Sequence, residues 1–112
     1  MIDDRSRLQH ILEAIERIES YTKPGAESFF TNSMMQDAVI RNIQIIGEAA
    51  RTLSDGFKQA HPDIPWREIA GTRNILVHEY FRVDLEIIWA DVQKSLTHLK
   101  IAIQTHLEQS DR

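Results

Sequence analysis

Apolar residues recur along most of this chain at the spacing of amphipathic helices, and nowhere in the alternation of a half-buried strand. From about Asp3 to Tyr21, Leu8, Ile11, Leu12, Ile15 and Ile18 fall on one helical face, with Glu13, Glu16, Arg17 and Glu19 between them. Lys23-Pro24-Gly25 stops that helix, because proline cannot continue it and glycine tolerates the turn. A second helix is predicted from Ser33 to about Leu53, opened by the capping box Ser33-x-x-Gln36 and closed by Ser54-Asp55-Gly56. Met35, Val39, Ile43, Ile46, Ala50 and Leu53 form its stripe, which Ala38, Ile45 and Ala49 widen to about 160°. So broad an arc fits a helix inside a bundle, or one that also faces another subunit. Residues 55–65 hold Gly56, Pro62 and Pro65 and are predicted to be mostly irregular, with at most one short turn. Residues 66–81 are helical in character, interrupted at Gly71-Thr72. The last helix starts after Asp84, a good N-cap, and its Leu85, Trp89, Val92, Leu96, Leu99 and Ile103 follow the spacing of a bundle seam. The fold class is all-α, most simply an antiparallel four-helix bundle. Trp66 and Trp89 belong to its core.

Length and composition agree with one domain over residues 1–112. A chain of 112 residues with 42% hydrophobic and 27% charged positions supports one modest core. Cysteine is absent, which removes disulfides and thiolate metal sites. No apolar run approaches the ~20 residues of a membrane span, and the opening MIDDRSRLQH lacks the apolar region of a signal peptide. The expected location is the cytoplasm, without membrane attachment.

The net charge of −4 disfavours a general nucleic-acid-binding surface, but its distribution is uneven. Residues 1–40 carry 4 basic and 7 acidic side chains, and residues 83–112 carry 3 and 5. Residues 41–82 carry 6 and 5, so only the middle of the chain is not acidic. A small anion or a few phosphates fit there better than a long duplex. Of the five histidines, His10, His98 and His106 read as surface or seam positions, and His61, beside Pro62, carries no evident role. Neither His-Glu-x-x-His nor Glu-x-x-His occurs, so no metal site is expected, and no glycine-rich phosphate loop is present.

The chemistry-bearing stretch is Gly71-Thr72-Arg73-Asn74-Ile75-Leu76-Val77-His78-Glu79-Tyr80-Phe81. On a helix, Asn74 and His78 share one face and Arg73 and Tyr80 another. Spacing alone fits an ordinary helix end with an arginine ion pair and a histidine cap. Glu48 shares a face with Arg41, Gln44 and Arg51, where a surface Glu48–Arg51 pair is the simplest expectation.

Arg73-x4-His78-x-Tyr80 resembles the R-x4-H-x-Y motif of HepT-like proteins in the HEPN superfamily. Ile45-Ile46-Gly47-Glu48-Ala49-Ala50, Pro62-Asp63-Ile64-Pro65-Trp66, and Phe81-Arg82-Val83-Asp84 followed by Trp89 resemble further segments of that family, in order and at compatible spacings. The resemblance implies an all-helical homodimer with its cleft between subunits, and a toxin that acts as a metal-independent ribonuclease. It also implies a minimal nucleotidyltransferase antitoxin that uses ATP and Mg²⁺ to transfer AMP to Tyr80; the toxin itself needs no cofactor.

Within that frame Arg73 and His78 are the catalytic candidates, and Asn74 and Glu48 are supporting candidates. RNA cleavage without a metal needs a base for the 2′-hydroxyl, an acid for the leaving 5′-oxygen, and positive charge on the phosphoryl oxygens. Histidine suits either proton-transfer role near neutrality, and arginine matches phosphate bidentately. One subunit supplies a single motif histidine; a two-fold interface supplies the second. Asn74 either orients a motif residue or substrate, or is a plain helix-end amide. Glu48 either positions Arg73 across the bundle or pairs with Arg51. Two other readings use the same fold: a non-catalytic nucleotide- or substrate-binding partner of a nucleotidyltransferase, and a dimeric scaffold.

Overall fold

Strong local caps decide where the helices begin. The structure, a computed structural model, describes residues 3–70 and 84–110. Among these residues there are helices and connecting turns but no strand. Helix α1 (Asp4–Tyr21) opens on Asp3, whose carboxylate accepts the Ser6 N–H at 2.9 Å. That bond holds the Asp3 carboxyl below the usual aspartate range. At the other end the Thr22 N–H returns to the Ile18 carbonyl, and Gly25 takes φ +106°, a left-handed value that glycine alone adopts without strain. The predicted stop at Lys23-Pro24-Gly25 is therefore where the chain turns.

Three features of the first half of the chain depart from the expectations above. A six-residue helix, α2 (Ala26–Thr31), follows the turn and buries Phe29 completely. It is too short to show a period. Helix α3 (Ser33–Arg51) is capped by Asn32, which accepts the Met35 N–H at 3.1 Å, so the predicted capping box does not form. Gln36 instead donates to the Phe29 carbonyl at 2.9 Å, tying α3 back to α2. The segment predicted to be mostly irregular contains a second six-residue helix, α4 (Asp55–Ala60), capped by Ser54. The Asp4 carboxylate accepts from both the N–H and the hydroxyl of Ser54, joining the starts of α1 and α4.

Residues 66–70 are helical, as expected, and lead into residues 71–83, outside those described. The predicted final helix is broken at Lys94 into α5 (Leu85–Gln93) and α6 (Ser95–Ser110). Asp84 caps α5 as expected, accepting the Glu86 N–H at 2.9 Å. The break does not disrupt the seam: Val92, Leu96, Leu99 and Ile103 are all buried.

The core lies between α1, α3, α5 and α6. Leu8, Ile11, Ile15 and Ile18 pack with Val39, Ile43, Ile46 and Ala50, and Leu99 and Ile103 close the other side. Trp89 packs on Phe29 with ring centroids 5.1 Å apart. Trp66 stands edge-on to Phe57 and donates its indole N–H to the His61 carbonyl at 3.0 Å. Both tryptophans are packing residues, as the pattern implied. His61 and His106 also lie against Phe57, with centroids 4.6 and 4.8 Å away.

An ion pair and a histidine–carboxylate hydrogen bond tie α6 to its neighbours from outside the core. Lys100 meets Glu19 of α1 at 2.7 Å, and His98 meets Asp63 at 3.0 Å. The hydrogen bond from His98 is the main cause holding Asp63 below its ordinary value of 3.8. A lowered folded-state value adds stability above 3.8 that fades as pH falls through the folded value. Asp63 should thus titrate below 3.8 by carboxyl-resolved NMR, and His98→Ala should move it back toward that value. An unmoved titration would show that His98 is not the cause.

Candidate functional site

Helices α1 and α3 run antiparallel, because Arg7 near the start of α1 reaches Thr52 just after α3, while Arg17 reaches Asn42. One edge of this pair opens into a cleft of about 570 Å³. Arg7, His10, Glu13 and Arg17 line it from α1, at the i, i+3, i+6 and i+10 positions of one face. Arg41, Gln44 and Glu48 line it from α3, with Ile45 and Ala49 between them. Ile45 and Ala49 are part of what made the apolar arc of α3 so broad. They are half-buried and floor the cleft.

Two of the arginines are held in place. Arg7 donates to the Thr52 carbonyl at 2.7 Å, and Arg17 donates to the Asn42 side-chain oxygen at 3.2 Å. Asn42, the buried polar side chain among the described residues, is satisfied on its other side by donating to the Ala38 carbonyl at 2.9 Å. The acids carry cations of their own. Arg17 lies 3.8 Å from Glu13, and Arg51 donates to Glu48 at 2.8 Å. The expected Glu48–Arg51 pair therefore forms, with Glu48 at the cleft edge.

The other predicted site residues, Arg73, Asn74, His78 and Tyr80, lie outside the described residues, as does the expected interruption at Gly71-Thr72. The approach to them is visible. Pro65 and Ile69 flank a cavity of about 80 Å³ with Ile43, Ile46, Leu96 and Asp91. Burial among these groups pushes the Asp91 carboxyl above the usual aspartate range. Among the described residues, no three histidine or carboxylate side chains come close enough to hold a metal ion.

Sequence reasoning missed the α1 half of the cleft. It read His10 as a surface or seam residue, and His10 is indeed exposed. The signal was a polar stripe, Arg7, His10 and Arg17, bordering the apolar face of α1. Nothing local pairs that stripe with Arg41 and Gln44.

The family described as Ribonuclease HepT-like matches residues 11–106. This chain belongs to that family. Over 98% of its length it is 47% identical to half (50%) of a Methanocaldococcus jannaschii protein named "Gamma-glutamylcyclotransferase and putative RNase". It is 45% identical to the "Probable ribonuclease HepT" of Thermococcus cleftensis, over 83% of this chain and 86% of that one. A further M. jannaschii protein, a "Putative RNase", is 36% identical over 91% of this chain and 94% of its own. The chain thus spans half the length of the first of these relatives and most of the other two. No solved structure matches it significantly. No described helix is long and apolar enough to cross a membrane. The all-α architecture is that expected of a HepT-like protein.

Proposed function

We propose that this chain is the ribonuclease toxin of a toxin–antitoxin pair, cleaving RNA without a metal at a site shared by two subunits. The observation that carries the reading is that Arg73-x4-His78-x-Tyr80 falls inside the matched ribonuclease family segment, residues 11–106. In the proposed step the ribose 2′-oxygen attacks phosphorus while one His78 takes its proton. The bond to the 5′-oxygen breaks, and that oxygen receives a proton from the second subunit's copy of the same histidine. A 2′,3′-cyclic phosphate and a 5′-hydroxyl result. Arg73 meets the charge that builds on the phosphoryl oxygens. The protein acts in the cytoplasm as a homodimer, and needs no cofactor of its own.

Silencing follows from the same charge logic. A minimal nucleotidyltransferase uses ATP and Mg²⁺ to place AMP on the Tyr80 oxygen, releasing pyrophosphate. The added phosphate competes with the substrate phosphate for Arg73. Asn74 is a supporting candidate for orienting the motif, while Glu48, on α3 at the cleft edge, is engaged by Arg51 at 2.8 Å, the simpler of its two expected roles.

The reading is tested with labelled RNA incubated with the purified protein in excess EDTA. Cleavage that leaves cyclic phosphate ends is expected. RNA that stays intact with a well-folded dimer would favour a non-catalytic partner subunit instead. Co-expression with the nucleotidyltransferase should add one AMP per chain by intact mass, and Tyr80→Phe should abolish the addition while keeping toxicity. AMP on any other residue refutes the assignment of Tyr80.

A further inference from the structure

In an acidic chain, the α1–α3 cleft is a local concentration of cations. Arg7, Arg17, Arg41 and His10 line it, and its two acids, Glu13 and Glu48, already face Arg17 and Arg51. Arg41, His10 and Gln44 make no hydrogen bond or ion pair among the described residues, and Arg41 and His10 are exposed. Three donor side chains therefore converge on one cavity without an internal acceptor. Arg7 and Arg17 are fixed by neutral acceptors, the Thr52 carbonyl and the Asn42 amide, so the first keeps its whole charge available and both are oriented in advance.

The cleft is elongated. Arg7 and Arg17 are ten residues apart on one helix, about 15 Å along its axis. A guanidinium stands at each end, Arg7 with the His10 imidazole donor at one and Arg17 and Arg41 at the other, which is the layout for a linear polyanion and not for a single ion. The exposed large apolar side chains among the described residues, Tyr21, Phe30, Met34, Ile87 and Ile101, all lie outside it. A subunit interface would be expected to bury such residues.

We propose that the α1–α3 cleft is a phosphate-binding track for single-stranded RNA, holding the substrate backbone through Arg7, His10, Arg17 and Arg41. The proposal rests on the ribonuclease reading for the identity of the polyanion. A cleft of about 570 Å³ between two helices, in a chain of net charge −4, suits one flexible strand and not a duplex.

The test uses equilibrium binding of a fluorescent 2′-O-methyl oligouridylate, which the proposed mechanism cannot cleave. Arg41→Gln removes a cation that has no described partner, so folding should be unaffected. Affinity should fall about tenfold, and the slope of log affinity against log salt should shrink by roughly 0.7 for the lost phosphate contact. Arg41→Glu should weaken binding further, and Lys94→Gln, at the exposed α5–α6 break, should change neither quantity beyond a general charge effect. On cleavable RNA, Arg41→Gln should raise KM and spare kcat.

Binding by Arg41→Gln at wild-type strength overturns the track whether or not the protein cleaves RNA. A wild type that binds the probe through Arg41 but leaves cleavable RNA intact upholds the track and sinks the ribonuclease reading. Dissociation of the dimer by Arg41→Glu, seen by light scattering, would reassign the cleft to a chain–chain contact. Inorganic phosphate is the second probe; if it displaces the oligonucleotide at equimolar concentration, a free anion is the ligand and the RNA track is rejected.

Discussion

His78→Ala should abolish RNA cleavage, by at least about 10²-fold, in protein whose circular dichroism and denaturation midpoint match the wild type. In the proposed mechanism the imidazole supplies the proton transfers at both the attacking and the leaving oxygen, and no other side chain type in the Arg73–Tyr80 stretch ordinarily titrates near neutrality. Because the proposed site draws one histidine from each subunit, a mixed dimer with one altered chain should lose the acid–base pair as well. Arg73→Ala should cost about 3 kcal/mol in the barrier, near a hundredfold in rate, through lost stabilisation of the phosphoryl charge. Arg73→Lys should recover only part of this, since an ammonium keeps the charge without the bidentate fork. The readout is single-turnover cleavage of labelled RNA in EDTA. Wild-type rates in both alanine variants would falsify the assignment of the motif as catalytic.

The second large effect is on stability. Phe29→Ala should destabilise the fold by about 3–5 kcal/mol, measured from the shift of the denaturation midpoint. Against the 5–15 kcal/mol of an ordinary domain that is a large fraction. Phe29 is wholly buried, packs on Trp89 of α5, and has its carbonyl bonded to Gln36 of α3. A six-residue helix such as α2 has no stability of its own. Removing its one buried side chain should therefore release the whole segment between α1 and α3. Phe30→Ala is the control: Phe30 is exposed and should cost much less. Equal costs for the two would mean that Phe29 does not anchor α2.

What could be read in advance follows from how far the relevant forces reach along the chain. Amphipathic periods are written residue by residue, so α1 and α3 were legible nearly to their ends, and the buried residues of α1 include four of the five named from spacing. The exception, Leu12, sits at the margin of the stripe and is half-buried. Caps are competitions between neighbours, and there local reading failed: Asn32 outcompeted Ser33, leaving Gln36 to bond to α2. The short helices α2 and α4 carry too few turns to show a period. The break at Lys94 left no mark on the seam, because the buried positions on both sides keep their spacing.

For the site, the residue types alone left Arg73, Asn74, His78 and Tyr80 open between a capped helix end and a catalytic motif. Chain-long resemblance chose between them, and the family match over residues 11–106 supports the choice of family. The sequence by itself therefore determined the helical class, most of the core, the lack of thiol chemistry and the family. Only tertiary structure brought Arg7, His10 and Arg17 opposite Arg41 and Gln44, and buried Asn42 against Arg17. The periodicity of a helix says which face is polar, but which polar face meets which is set by how two helices pack. That register is decided by ridges and grooves across the interface, where residues 45 positions apart, such as Arg7 and Thr52, become neighbours.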